Sequence, residues 1–329
     1  MKILVTGGAG FIGSHLCEFL IKKKEINKII ILDNLEDGSK KNLKDILKST
    51  KVNLYKCDIR NLKSILPKFK GIDCVVHLAA LSDIVPSITD PTNYMTTNIN
   101  GTLNILESMR KHNVKKIIYA ASSSCYGIPK KYPTNETDKI NPKYPYAFSK
   151  YIGEKTIIHW SNVYKLNFIS LRLFNVYGTR SRTHGAYGAA LGVFLKQKLA
   201  KKPFTVVGNG EQKRDFIYVT DVVRAFYLSI KSKKKNKIYN VGLGKPETVN
   251  TLLSYIGGKK IYIPKRPGEP PTTHANIFSI KKDLNWRPLI SLKMGIKEIL
   301  KDINYWKNAP LWTPKKIEQS TRNWFKYLK

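Results

Sequence analysis

Met1-Lys2-Ile3-Leu4-Val5-Thr6-Gly7-Gly8-Ala9-Gly10-Phe11-Ile12-Gly13 is a short apolar strand that runs directly into glycines spaced three apart, Gly7, Gly10 and Gly13. Glycines at this spacing let a backbone turn tightly, approach a pyrophosphate and pack the following helix closely on the sheet. The helix then aims its unpaired N–H groups at the phosphates. The stretch from Phe11 to Lys24 carries Phe11, Ile12, Leu16, Phe19 and Leu20 at helical spacing, and Lys28 to Asn34 reads as an apolar strand ending in an acid. That acid is Asp33, twenty positions after Gly13. A carboxylate there accepts hydrogen bonds from the adenosine ribose and repels a 2′-phosphate, so the pattern predicts NAD rather than NADP.

At 329 residues the chain is long enough for two domains that share a cleft. The alternation of strand and helix patterns predicts an α/β fold. No apolar run is long enough to span a bilayer and no leader precedes the first strand, so a cytoplasmic protein without membrane insertion is expected. The four cysteines are scattered, which predicts reduced structural thiols and no metal site. The formal charge of +35 comes mostly from lysines spread along the chain, as in Lys22 to Lys24, Lys40-Lys41 and Lys233 to Lys235. There is no arginine-rich stripe with interleaved aromatics, so nucleic acid is not the expected partner. An anionic nucleotide substrate is compatible with such a charge.

Further strands are predicted at Val52 to Cys57, Cys74 to Leu78, Lys116 to Ala121 and Asn167 to Leu173, giving a Rossmann-type, doubly wound parallel sheet. Ligands in such sheets sit beyond the carboxyl ends of the strands. The polar stretches there are Cys57-Asp58-Ile59, His77-Leu78-Ala79-Ala80, Ser122-Ser123-Ser124 and Phe174-Asn175-Val176-Tyr177-Gly178. Beyond Gly178 the regular alternation stops. Residues 1–177 are therefore expected to form the cofactor-binding domain, with a returning segment near 215–242, and residues 178–329 mainly a smaller C-terminal substrate-binding domain.

Pro145-Tyr146-Ala147-Phe148-Ser149-Lys150 places a tyrosine and a lysine four apart, on one face of a helix. An ammonium beside a phenol favours the phenolate and brings it within reach of work as a base. Together with Thr6 to Gly13, His77 to Ala80, Ser122-Ser123-Ser124-Cys125-Tyr126-Gly127, Arg172-Leu173-Phe174-Asn175-Val176-Tyr177-Gly178 and Arg214-Asp215-Phe216-Ile217-Tyr218-Val219, this stretch resembles the extended short-chain dehydrogenases/reductases. The likeness is to their NAD-dependent nucleotide-sugar epimerase and dehydratase branch, UDP-glucose 4-epimerases included, and it runs nearly end to end.

The resemblance implies that Tyr146 is the general base for a sugar hydroxyl, that Ser122 shares its proton, and that Lys150 holds the nicotinamide ribose. Gly7, Gly10, Phe11, Ile12, Gly13, Asp33, Asn34, Asp58, Ile59, Leu78, Ala79, Ala80 and Asn98 would hold or lie near NAD. Ser82, Ser123, Ser124, Asn175, Arg214, Arg266 and Thr273 would face the substrate, and the arginine fork suits a diphosphate. A homodimer formed through the Tyr146 helix and its neighbour is implied as well.

Dehydratases and decarboxylases of the branch carry a carboxylate after the first catalytic hydroxyl, where this chain has Ser123 and Ser124. Oxidation and re-reduction at one carbon is then the simplest chemistry, which predicts 4-epimerisation of a UDP-hexose through a 4-keto sugar. A 4,6-dehydratase, a UDP-glucuronate 4-epimerase and an idle dinucleotide-binding protein with an RNA or regulatory partner are the alternatives. The small Thr273 resembles relatives that admit N-acetylated hexoses, whereas Asn276 stands where an acid is common. His184, in the stretch Ser181 to Gly188, reads as a solvated loop residue rather than a substrate contact. Trp312, Trp324, Phe325 and Tyr327 among lysines suit either a membrane-surface helix or an aromatic face packed on the protein, and packing is the expectation.

Overall fold

The computed structural model describes residues 1–181 and 190–328, so the expectation for His184 lies outside the described residues. Six strands lead the architecture: β1 (Lys2–Thr6), β2 (Lys28–Asp33), β3 (Val52–Lys56), β4 (Cys74–His77), β5 (Lys116–Ser122) and β6 (Asn167–Leu173). With the strand Lys237–Val241 they form a seven-stranded sheet, in the order Lys237–Val241, β6, β5, β4, β1, β2, β3. Every neighbouring pair is parallel. The order reverses between β1 and β4, which puts the switch point of the doubly wound sheet at Gly7 and Leu78.

A parallel sheet is covered on both faces, which explains the nearly unbroken apolar strands. Successive residues point to opposite faces. Ile3, Val5, Ile29, Ile31, Val76 and Ile118 enter one core, and Leu4, Ile30, Leu32, Val75, Ile117 and Tyr119 the other. Each such buried side chain contributes about 1.5–3 kcal/mol before its ordering entropy. A third core gathers Tyr177, Phe194, Phe204, Leu252, Ile296 and Trp306, with Phe11 and Ile12 of the first helix packed against it.

That third core is built around short strand pairs. Asn175–Tyr177 lies parallel to Phe216–Tyr218, Phe204–Val207 parallel to Lys260–Ile263, and Lys213–Arg214 antiparallel to Glu247–Thr248. The helix Pro145–Tyr164 starts with proline in its first turn, where a missing N–H costs nothing, and runs between β5 and β6. Among the described residues no helix is long and apolar enough to cross a membrane.

Candidate active site

One cleft of about 690 Å³ runs along the carboxyl ends of the strands and on between the main sheet and the third core. Its floor is set by the glycines. Gly7 adopts a left-handed φ of +67° while its N–H continues the ladder to Leu32 O at 2.8 Å, and a Cβ on it would stand 2.8 Å from the Ala79 nitrogen. A Cβ on Gly13 would collide with the Gly7 carbonyl and lie 2.7 Å from Gly8 Cα, so the helix Phe11–Ile21 seats flush against the turn. Gly10 differs: its Cβ would meet only the Gly7 oxygen, at 3.3 Å, and otherwise face the cleft.

The helix that follows has Gly10 as its N-cap and no capping side chain. Its first N–H groups have no partner within the helix and suit a phosphate. Asp33, buried at the end of β2, accepts from Ala9 N at 2.8 Å and Leu35 N at 2.9 Å. Burial pushes its carboxyl above the usual range, and those two N–H groups oppose the shift. A carboxylate has about four acceptor positions, so capacity remains for ribose hydroxyls. An open glycine, uncapped N–H groups and an anchored carboxylate at this spacing fit a dinucleotide.

The switch point is tied by Thr6. Its hydroxyl accepts from the N–H groups of Leu78 and Ala79 at 3.2 and 3.1 Å and donates to His77 Nδ1 at 2.7 Å. His77 Nε2 lies 2.9 Å from the Thr102 hydroxyl, which itself donates to Asn98 O at 2.6 Å. This chain assigns a neutral imidazole protonated on Nε2. Burial and the nearby Lys150 charge lower its pKa to about 3, in agreement.

Ser122 ends β5 with its Oγ accepting from Ser124 N at 3.2 Å. Tyr146 and Lys150 occupy the first two turns of the helix Pro145–Tyr164, and all three side chains line the cleft. The Lys150 ammonium is buried 4.3 Å above the Tyr119 ring, a cation–π contact. Burial lowers its pKa to about 7, opposed by Glu154 one turn on. The cation expected from sequence is therefore poised near neutrality rather than permanently charged. Glu154 itself is fully engaged, accepting from Ser170 Oγ at 2.7 Å and from Arg172 Nη2 at 2.6 Å. Arg172 continues to Tyr126 and the Glu136 carbonyl, binding the helix to β6 and to the segment before it.

The remaining residues expected at the cofactor, Asn34, Asp58, Ile59, Leu78, Ala79 and Ala80, line the cleft with Phe11 and Ile12. Asp58 is held below the usual carboxylate range, chiefly by its hydrogen bonds from Arg60. Asn98, expected to hold or lie near NAD, is buried one step behind the lining. It does not line the cleft: its amide accepts from Leu81 N at 2.8 Å and donates to Leu81 O and Ser149 Oγ, both at 2.9 Å. These three bonds join the loop after β4 to the Tyr146 helix, and the neighbouring Thr97 lines the cleft.

Ser82, Ser123, Ser124, Asn175, Arg214, Arg266 and Thr273 line the other half. Thr273 Oγ1 donates to Asn175 Oδ1 at 2.8 Å and accepts from Asp215 N at 3.0 Å, which fixes both side chains at the wall. Arg214 Nη2 donates to Glu269 Oε1 at 2.6 Å. Asn276 instead bonds Asn135 at 2.7 Å, away from the cleft lining. Sequence reasoning missed Tyr144, Asp83, Arg180, Gln212 and Glu269, all on the lining. Glu269 could have been found three positions after Arg266. The others lie in segments without a periodic signal.

The sequence pattern described as the NAD dependent epimerase/dehydratase family matches residues 3–242. A putative UDP-glucose 4-epimerase of Methanocaldococcus jannaschii is 38% identical over 315 residues, covering 93% of this chain and 98% of that protein. The UDP-glucose 4-epimerase of Thermotoga maritima, solved with UDP-glucose, superimposes with a TM-score of 0.86 at 33% identity, covering 93% of this chain and 99% of that one. A UDP-N-acetylglucosamine 4-epimerase of Methanobrevibacter ruminantium, solved with UDP-N-acetylmuramic acid, gives 0.85 at 31%, covering 92% and 98%. With the glycine turn, the anchored Asp33 and the Ser122, Tyr146 and Lys150 set on one cleft, this chain belongs to the NAD-dependent epimerase/dehydratase family.

Proposed function

We propose that the protein interconverts the C4 epimers of a UDP-hexose and retains NAD throughout. The observation that carries this reading is Ser122, Tyr146 and Lys150 lining one cleft, with Ser123 and Ser124 where an elimination would need a carboxylate. NAD, held by Gly7 to Gly13, Asp33, Asn34, Asp58, Ile59 and Leu78 to Ala80, supplies a hydride acceptor and donor at the sugar carbon.

The protein residues manage the proton and the pose. Tyr146 takes the proton of the sugar 4-hydroxyl and returns it, and Ser122 orients that hydroxyl between them. Lys150, when protonated, favours the phenolate of Tyr146. Arg214 and Arg266 grip the diphosphate, Arg214 from a position already braced by Glu269. A 4-keto sugar anchored only by its nucleotide can turn over in the cleft and be reduced on its other face. The short Thr273, tied back to Asn175, leaves room for a C2 acetamido group, so we extend the reading to N-acetylated hexoses.

The division of labour follows: residues 1–177 with a returning segment near 215–242 hold the cofactor, and residues 178–329 mainly hold the nucleotide sugar. Phe148 and Val163, 45% and 51% exposed on the Tyr146 helix, support a homodimer through that helix, which analytical ultracentrifugation measures. Four free cysteines suit a reducing cytoplasm. The deciding experiment is NMR of purified protein with UDP-Glc, UDP-GlcNAc and UDP-GlcA, without added NAD. Appearance of the C4 epimer is expected. A 4-keto-6-deoxy product without epimer sinks the proposal.

A further inference from the structure

We propose that the last helix, Pro314–Tyr327, is a wall of the nucleotide-sugar subsite, with Trp324 as the positioning residue that sets the diphosphate-binding loop and the entrance to the Tyr146 helix. The inference rests on the reading that the cleft takes a nucleotide sugar.

The helix is amphipathic by sequence: Ile317, Thr321 and Trp324, at four- and three-residue spacing, are its buried residues. Thr313 caps it by accepting from Lys316 N, and Pro314 fills its first turn. The buried stripe reaches the cleft at its first residue. Ile317 lines the cavity, and the helix packs on the helix Ile84–Thr89, whose first residue lines it too.

Trp324 is 1% exposed. Its indole Nε1 donates to Pro267 O at 2.7 Å, and its ring packs on Tyr144 with centroids 6.0 Å apart. Pro267 follows Arg266 and stands two before Glu269, the partner of Arg214, so one hydrogen bond pins the loop that carries the charged end of the cleft. Beside it, Gly268 has a left-handed φ of +70°, and a Cβ on it would lie 3.7 Å from Leu328 O. Tyr144 immediately precedes Pro145, lines the cleft, and shares a hydrogen bond with Ser124. Trp324 thus braces a cleft-lining segment on each side, the one with Arg266 and the one with Tyr144.

The test uses the full chain and the probe UDP. Trp324→Phe keeps the ring on Tyr144 and loses the bond to Pro267, so UDP affinity measured by calorimetry should fall about three- to tenfold. Trp324→Ala loses both and should fall further. In each variant KM for the UDP-sugar should rise with the same factor while kcat and bound NAD stay within about twofold of the parent. A purely structural role would lower Tm and leave UDP affinity and KM unchanged in the folded variants, and that result overturns the proposal. If the alanine variant does not fold, hydrogen exchange on the parent protein decides beside Trp324→Phe: UDP should slow exchange in residues 314–328, because coupling between helix and ligand is reciprocal. No change there overturns the proposal. UDP binding by a parent that makes no epimer sinks the proposed reaction and leaves the wall standing. No UDP binding at all removes both.

Discussion

Tyr146 and Lys150 lie four apart in the sequence, but what they can do is set by burial. The ammonium sits above Tyr119 with its pKa lowered by burial to about 7, and Glu154 opposes that shift. Tyr146→Phe should cut epimer formation roughly 10²–10⁴-fold, the usual worth of a positioned base, with NAD content unchanged; steady-state NMR rates and a cofactor extraction measure both. His77 makes a second prediction. Its folded pKa of about 3 lies below the usual 6.5, so across that window the unfolded chain takes up a proton that the native state refuses. Stability is full above pH 6.5 and is lost as pH falls towards 3. Melts at pH 7.5 and 5 should show this slope, and His77→Gln should flatten it. At the same scale Asn98 shows how an amide beside the site can be spent on its neighbours Leu81 and Ser149.

At the scale of an element, the strand, turn and helix from Lys2 to Ile21 separate two kinds of glycine. A Cβ on Gly13 meets backbone that has nowhere to move, whereas a Cβ on Gly10 faces the cleft. Gly13→Ala should cost about 1–3 kcal/mol of stability as well as NAD, the range typical of overpacking. Gly10→Ala should keep the melting temperature within a degree or two and lose NAD. Denaturation curves beside cofactor content distinguish the two, and equal destabilisation would contradict the assignment. The element was legible because three glycines, an apolar period of 3.6 and an acid at the next strand end agree with one another. The loop of Arg266 to Pro271 shows an arginine and, three positions on, an acid, but nothing in a Pro- and Gly-rich segment says that Glu269 will meet Arg214.

For the whole molecule, the charge of +35 predicts long-range attraction of a nucleotide diphosphate. The apparent kcat/KM should fall several-fold as salt rises from about 0.02 to about 0.5 M, as the screening length shrinks well below 10 Å, with kcat unchanged. A salt-independent kcat/KM would show that the lysines do not steer substrate. The sequence by itself determined the parallel sheet, the glycine turn and the Tyr146 and Lys150 pair on one helix face, because each is written in local spacing: short unbroken apolar runs in strands, a period of 3.6 in helices, glycines three apart. Only the tertiary structure decided that Asn98 braces and does not line, that Lys150 is buried against Tyr119 with its pKa lowered, that Glu269 meets Arg214, and that the last helix turns Trp324 onto Pro267 and Tyr144. These depend on residues tens to hundreds of positions apart being brought within about 3–6 Å, and on how much water is left between them, neither of which a local pattern encodes.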